Sequence, residues 1–378
     1  NSHLHQQSQA FSINSPVITP GQGSPVPAVT QDSTGSIFPF LNHAGNIKHL
    51  GAHLQRLKLH DPIVVSADET VAQLYGEIAM NALTSAGFCA RHITLPPGEA
   101  HKNFHTISSL WQAFTQHGLE RRSTIVALGG GVTTDLVGFA AATYLRGVNW
   151  VAVPTTLLGM VDAALGGKTG FDLPQGKNLV GAFYPPRLVL VDPGTLATLP
   201  ERDLRAGMAE VVKAGLIADE NLFNLCCQGW EAVLGNLEGI VRRSMAVKIR
   251  LVHADPYERG QRAALNLGHT IGHAVEKASG YRLLHGEAVA IGLVEEARLA
   301  EHQRLARRGV AARIASFLEG LGLPTRIPKD ISPDAVIEAA GVDKKRAAGY
   351  LRFALPLRPG RVQIGITVPD WEQILFDE

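Results

Sequence analysis

Cysteine is scarce in this chain: Cys89, Cys226 and Cys227 are the only 3 among 378 residues, and two of them are adjacent. That excludes a disulfide framework and fits a reducing cytoplasm. Long apolar runs are missing as well. No stretch of about 18 residues is apolar enough to cross a bilayer as a helix, and the opening residues lack the basic-then-apolar order of a secretory signal. A cytoplasmic chain without a membrane partner is therefore expected. Charge of one sign is not in excess either, with 35 Lys and Arg against 34 Asp and Glu. This balance argues against a nucleic-acid partner held on a broad basic face. What remains is ordinary globular material, 45% hydrophobic and 18% charged, of a length that suits two domains.

Residues 1–36 are rich in Gln, Ser, Pro, Thr and Gly without a sustained period, and are expected to form a mobile arm. From Ile47 the text alternates between strand and helix. IKHLGAHLQRL has helical spacing, DPIVVSADE reads as a buried strand, and VAQLYGEIAMNALTSAG as a helix closed by Gly87. HITLP, NFHTISSLWQAFTQHG and STIVALGGG continue the pattern, and WVAVP and RLVLVD add two strands separated by a loop-rich stretch. Such alternation predicts a parallel sheet flanked by helices, an α/β domain over residues 37–195. After about Pro200 helical periodicity dominates, so residues 196–378 are expected to form a mostly α-helical domain with a short extended pair, LRFALPL and GRVQIGITV, near its end. A cleft between two such domains is a common place for ligand and cofactor.

Three patterns carry chemistry. The first is GGGVTTD, Gly129 to Asp135, where a strand meets a helix. Glycines there let backbone N–H groups approach a pyrophosphate at a helix N-terminus, although tight strand–helix packing explains a glycine triplet equally well. The second is NLGHTIGHAVEKASGYRLLHGE, which sets His269 and His273 four residues apart and returns His285 after a Gly-containing turn. Positions i and i+4 share one helix face. With a carboxylate such as Glu210 of GMAEVVKAG, the imidazoles can make a tetrahedral zinc site or one with an open position. For any single one of the 15 His, packing or solvent exposure is the ordinary explanation. The third is a supply of cations. Lys168 and Lys177 each follow Gly, Lys213 lies one turn after Glu210, and Lys248, Arg262, Lys344 and Lys345 add more, the last two in a charge run, VDKKR, read as a turn. Each alone suits a solvated surface; together they suit a substrate with several anionic groups. A divalent metal beside a dinucleotide serves hydride chemistry, because the ion stabilises the alkoxide from which hydride leaves.

These residues resemble the 3-dehydroquinate synthase family, of the sugar-phosphate cyclases. The likeness runs from about Asp68 to Gly365 and rests on GGGVTTD, YLRGV, VPTTLLGMVD, GGKTG, GKNLVGAFYPP, GMAEVVK, LNLGHTIGHA, LHGEAVAIG and DKKR in that order. The resemblance implies an NAD-binding α/β domain and a helical domain carrying Zn2+ or Co2+, with Glu210, His269 and His285 as metal ligands. It moves His273 from the metal to the substrate. It places NAD against Asp68, Gly98, Glu99, Lys102, Gly130, Gly131, Asp135, Thr155, Thr156, Thr195 and Thr198, and sets Lys168 and Lys177 between nucleotide and substrate. It further implies that Asp162, Asn178, Lys213, Lys248, Arg262, Asn266, His273 and Lys345 line the substrate pocket, and that Arg146 reaches a neighbouring subunit in a homodimer. The implied reaction turns the sugar acid phosphate 3-deoxy-D-arabino-heptulosonate 7-phosphate into 3-dehydroquinate and phosphate, in the shikimate route to aromatic amino acids. It proceeds by oxidation at carbon 5, phosphate elimination, reduction, ring opening and aldol closure, and NAD is regenerated each turnover. Two departures stand out. Thr134 precedes Asp135 where the family is associated with Gly, and AALGG follows Asp162 where Ser is common. The alternatives are a cyclase acting on another sugar phosphate, a metal-dependent polyol dehydrogenase, or a non-catalytic binding protein with the same fold.

Overall fold

A parallel strand buried on both faces needs an unbroken apolar run, and STIVALG supplies one: Ser123–Gly129 is a strand in which every residue is buried. The computed structural model describes residues 39–346 and 351–376, without the side chains of 342–346. The expected N-terminal arm, 1–36, lies outside the described residues. The strands are β1 (Phe40–Asn42), β2 (His60–Asp68), β3 (Ala90–Leu95), β4 (Ser123–Gly129), β5 (Asn149–Pro154), β6 (Lys168–Leu173), β7 (Gly176–Phe183), β8 (Leu188–Val191), β9 (Phe353–Arg358) and β10 (Arg361–Ile366). By compactness the described chain divides into two units: 39–207 with Leu237–Tyr257, and Met208–Asn236 with 258–346 and 351–376.

The first unit is built on a six-stranded sheet in the order β1-β8-β5-β4-β2-β3, parallel throughout. The chain leaves β2 for the β3 edge and returns to the other side of β2 as β4. That reversal puts the carboxyl ends of β2 and β4, Asp68 and Gly129, at the switch point where open α/β sheets take ligands. Ile63, Val65, Leu128, Val153 and Leu190 share one core on a face of this sheet with Leu50, Leu54 and Leu83 of its helices. Asp192, directly after β8, accepts hydrogen bonds from the N–H groups of Gly45 (2.8 Å), Gly194 (3.0 Å) and Ile47 (3.1 Å). One buried carboxylate thus ties the segment after β1 to the turn that carries Thr195.

In the second unit, Ile271, Val275, Ile291, Leu299, Phe353, Leu355 and Trp371 form the core. The extended pair expected near the end is the antiparallel β9–β10 ribbon. Two expectations need correction. The loop-rich stretch between WVAVP and RLVLVD is an antiparallel β6–β7 ribbon. Its glycines, which mimic a loop signal, are needed for close approach: a Cβ on Gly170 would lie 2.5 Å from Val180 O, and one on Gly181 2.3 Å from Thr169 O. The charge run VDKKR is no turn either. Its backbone completes the helix Pro333–Arg346, where basic residues suit the negative end of the helix dipole. No helix among the described residues is long and apolar enough to cross a membrane.

His53 is 1% exposed and its Nε2 meets Asn46 Oδ1 at 3.2 Å. Burial, with help from Arg56 and His49, lowers its pKa from 6.5 to about 4. A folded-state value below the unfolded one gives stability that is complete above pH 6.5 and is lost as pH falls towards 4. His53→Gln is expected to flatten the acid limb of a plot of unfolding free energy against pH, by up to about 3 kcal/mol. Urea titrations of both proteins through that window check this, and parallel curves would refute it.

Candidate active site

In the sheet unit the site begins at the strand ends. Asp68 caps the following helix by accepting from Val71 N–H (3.1 Å), and its other oxygen accepts from Thr133 Oγ1 (3.5 Å). Gly130 is the N-cap of the helix Gly131–Thr143, directly after β4. A Cβ on Gly130 would come 3.1 Å from Thr156 Cγ2, and one on Gly131 would come 3.1 Å from Ala163 Cβ, so side chains at this turn would crowd their neighbours. Thr134, the departure noted above, is buried and turns its hydroxyl back to Gly131 O (3.1 Å). The Thr is therefore absorbed by its own helix. Thr155 donates its N–H to Gly129 O (3.0 Å), and Thr156 Oγ1 accepts from Gly159 N–H (3.0 Å). Thr195 and Thr198 are bridged by Tyr75, whose hydroxyl donates to Thr195 O (3.1 Å) and meets Thr198 Oγ1 at 2.5 Å.

Lys102 joins three segments. It is 5% exposed and donates to Asp135 (2.7 Å) and to Asn178 Oδ1 (2.6 Å). Burial opposes its charge, but Asp135, Glu99 and Asp172 outweigh burial and raise its pKa above the ordinary lysine value. Burial likewise pushes Asp135 up, to about 6 against the pull of Lys102, so the pair is ionised at neutral pH. Gly98, at φ +97°, opens the turn that leads through Glu99 to Lys102. Glu99 in turn pairs with Lys177 (3.1 Å). Asn178 sits at φ +52°, and its N–H is held by Asp172 (2.7 Å). Lys248 donates to both Asp162 Oδ1 (2.5 Å) and Asp162 O (2.7 Å). Lys168 opens β6 with its side chain exposed. Arg146 is exposed in a turn where Leu145 (φ +48°), Arg146 (φ +67°) and Gly147 (φ +119°) all have left-handed backbone, which costs about 1–3 kcal/mol per non-glycine residue.

In the helical unit, Glu210 projects from the helix Glu201–Ala218 and is 2% exposed. Its Oε1 lies 3.4 Å from His269 Nε2 and 3.5 Å from His285 Nε2. The helices His269–Ala278 and His285–His302 supply those rings. His273 joins them, because ligand atoms of His269, His273 and His285 all lie within 4.8 Å of one another. Glu210 Oε2 contacts the Lys213 ammonium, which also donates to Leu265 O (2.9 Å). Glu210 Oε1 is buried without a hydrogen-bond donor. Lys213 meets only Oε2, so Oε1 is the oxygen left to receive a second cation. Two imidazole nitrogens facing that oxygen make a set that fits a divalent metal. Burial opposes protonation of His285, but the carboxylates of Glu210 and Glu276 beside the ring outweigh it and raise its pKa to about 9. Arg262 is 1% exposed, and Asn266 donates its amide to Glu258 (3.2 Å). The side chain of Lys345 lies outside the described residues.

Sequence reasoning missed three carboxylates. Asp172 fixes Asn178, as above. Glu276 meets His285 Nδ1 at 3.1 Å. Glu296, fully buried, reaches from its own helix to accept from Gly268 N–H (2.6 Å) and Ile271 N–H (3.3 Å), capping the helix that begins with His269. Burial raises its pKa to about 8 although those N–H groups pull it down. The available signal was a pair of acids inside the apolar run AVAIGLVEEARLA.

Two family descriptions match the chain: 3-dehydroquinate synthase N-terminal over residues 92–206, and 3-dehydroquinate synthase C-terminal over residues 207–346. A 3-dehydroquinate synthase of Nostoc punctiforme is 47% identical over 331 residues, covering 86% of this chain and 91% of its own length. Among solved structures, 2-deoxy-scyllo-inosose synthase complexed with carbaglucose-6-phosphate, NAD+ and Co2+ has a TM-score of 0.80 at 28% identity, covering 89% of this chain and 96% of the other. The 2-epi-5-epi-valiolone synthase of Streptomyces hygroscopicus, with NAD+ and Zn2+ bound, has a TM-score of 0.81 at 29% identity, over 93% of this chain and 97% of the other.

The helices that carry His269 and His285 touch through glycine. A Cβ on Gly292 would lie 1.9 Å from Gly268 O and 2.8 Å from Gly272 N, whereas one on the helical Gly239 meets nothing within 4 Å. Gly292→Ala is expected to destabilise the protein by about 3 kcal/mol or more, and Gly239→Ala to stabilise it by about 0.5–1 kcal/mol. Denaturant unfolding of both variants checks the contrast; equal effects would refute the close crossing.

Proposed function

This chain belongs to the 3-dehydroquinate synthase family, and from that membership we propose that it converts 3-deoxy-D-arabino-heptulosonate 7-phosphate to 3-dehydroquinate and phosphate. The observation that carries this reading is the buried, donor-less Oε1 of Glu210 facing the Nε2 atoms of His269 and His285. Those three residues hold the divalent metal, and Co2+ or Zn2+ accompanies NAD+ in the two cyclases similar to this chain. The glycine turn at Gly129–Gly131, with Asp68, Gly98, Glu99, Lys102, Asp135, Thr155, Thr156, Lys168, Lys177, Thr195 and Thr198, holds NAD. When bound, NAD supplies a hydride acceptor and the metal a Lewis acid that stabilises negative charge on a substrate oxygen.

The chain's own residues do the rest. Lys213, against Glu210 Oε2, adds fixed positive charge beside the site of alkoxide development. The Lys248 ammonium donates to both the carboxylate and the backbone carbonyl of Asp162, so Asp162 is oriented before substrate arrives. His273 shares the space of His269 and His285, with ring centroids 5.0 Å and 5.7 Å away. It serves as the proton-moving imidazole. Arg262, Asn266 and Lys345 receive the substrate carboxylate and hydroxyls, and Lys168 and Asn178 receive the phosphate. These cations distinguish the reading from a polyol dehydrogenase, whose neutral substrate has no use for them. Arg146, thrust outward on its strained turn, suits a contact with the site of a second copy in a homodimer. A cytoplasmic setting accords with the free thiols of Cys89, Cys226 and Cys227.

Protein supplied with a trace of NAD+ is expected to release phosphate from the seven-carbon keto-acid phosphate without net build-up of NADH. A chelator should stop release, and Glu210→Ala should slow it by about 100-fold or more. Stoichiometric NADH would establish a dehydrogenase instead. Phosphate release confined to sugar phosphates without a carboxylate would establish a different cyclase.

A further inference from the structure

His269 and His285 show how each ring is turned towards Glu210. In a neutral imidazole only one nitrogen carries hydrogen, so a ring that ligates a metal through Nε2 must carry its hydrogen on Nδ1, and a fixed acceptor at Nδ1 favours that form. His269 Nδ1 faces the carbonyl of Leu267 at 3.1 Å. His285 Nδ1 faces Glu276 Oε2 at 3.1 Å. Each Nδ1 thus has an acceptor for its hydrogen, which frees Nε2, on the side of Glu210 Oε1, to meet a cation held between them. The two devices differ in charge. A backbone carbonyl orients His269, whereas His285 is oriented by a carboxylate that is itself 4% exposed. Glu276 stands on the same helix as His269, seven residues on and so on the same face. One helix thus supplies one imidazole directly and the partner that aims the other.

We propose that Glu276 is a positioning residue for the metal ligand His285: its carboxylate accepts Nδ1–H, fixes the Nε2 tautomer and raises the basicity of the nitrogen that meets the ion. The inference rests on the metal-site reading above. Carboxylate partners of ligating imidazoles are worth about 10–100-fold in metal affinity elsewhere, and burial of Glu276 gives this one little competition from water. Removing the acceptor leaves the ring free to rotate or to take the other tautomer, which turns an N–H towards the ion.

The test is Zn2+ affinity, measured by competition with a chromophoric chelator on the full chain. Glu276→Ala is expected to weaken Zn2+ binding by about 10–100-fold. Glu276→Gln keeps an acceptor oxygen and the same volume, so it should recover part of that loss and guards against a variant that fails to fold. Glu295→Ala removes a different buried carboxylate, one paired with Arg298 at 2.8 Å, and should lower stability while leaving Zn2+ affinity unchanged. The Co2+ absorption spectrum should shift in Glu276→Ala and stay close to the parent in Glu276→Gln. Parent-like Zn2+ affinity in both Glu276 variants would overturn the role of Glu276 while leaving the metal site intact. Absence of tight Zn2+ binding by the parent protein would overturn the metal site itself and this inference with it.

Discussion

The geometry of the cluster formed by His269, His285 and Glu210 depends on how closely two helices cross. At Gly268, Gly272 and Gly292 the backbones approach until no Cβ fits between them. That distance is what lets His269 and His285, on different helices, aim at one oxygen of Glu210. Burying a helix start so deeply leaves its N–H groups without water. Glu296 meets them from the neighbouring helix, so the same crossing creates the need and places the group that satisfies it. Glu276 completes the arrangement by reaching back to His285. Close packing, helix capping and ring orientation are one device here.

The sheet unit solves a different problem, that of leaving a glycine turn bare while keeping the surrounding charges in place. The reversal between β2 and β4 provides the opening, and the glycines after β4 keep it free of side chains. Around it, Lys102 spans Asp135 on the helix after the glycine turn and Asn178 on the β6–β7 ribbon. A buried ammonium with several carboxylates close by stays charged because its partners are fixed. Moving any one of these segments would strand a charge, so the network holds the ribbon and the glycine turn in a single register.

Much of this was legible in the sequence, for identifiable reasons. Buried parallel strands demand apolar runs, and STIVALG, WVAVP and RLVLVD are such runs. His269 and His273 share a face because helix geometry requires it, and motif order pointed to Glu210 as the carboxylate. The failures are equally physical. Glycine signals a loop locally, but in β6–β7 it permits two strands to approach, a fact that depends on the partner strand. The charge run at residues 342–346 resembles a solvated turn until the helix preceding it is known to continue.

The sequence alone determined the alternation of strand and helix, the glycine turn and the supply of imidazoles and cations, because each follows from local period or residue type. Only the tertiary structure decided which group faces each His nitrogen, which acids are buried and what they hold. Glu276, Glu295 and Glu296 look alike in the chain, yet one meets an imidazole, one an arginine and one a helix N-terminus. Their roles come from neighbours brought together by packing, and no local pattern encodes a neighbour.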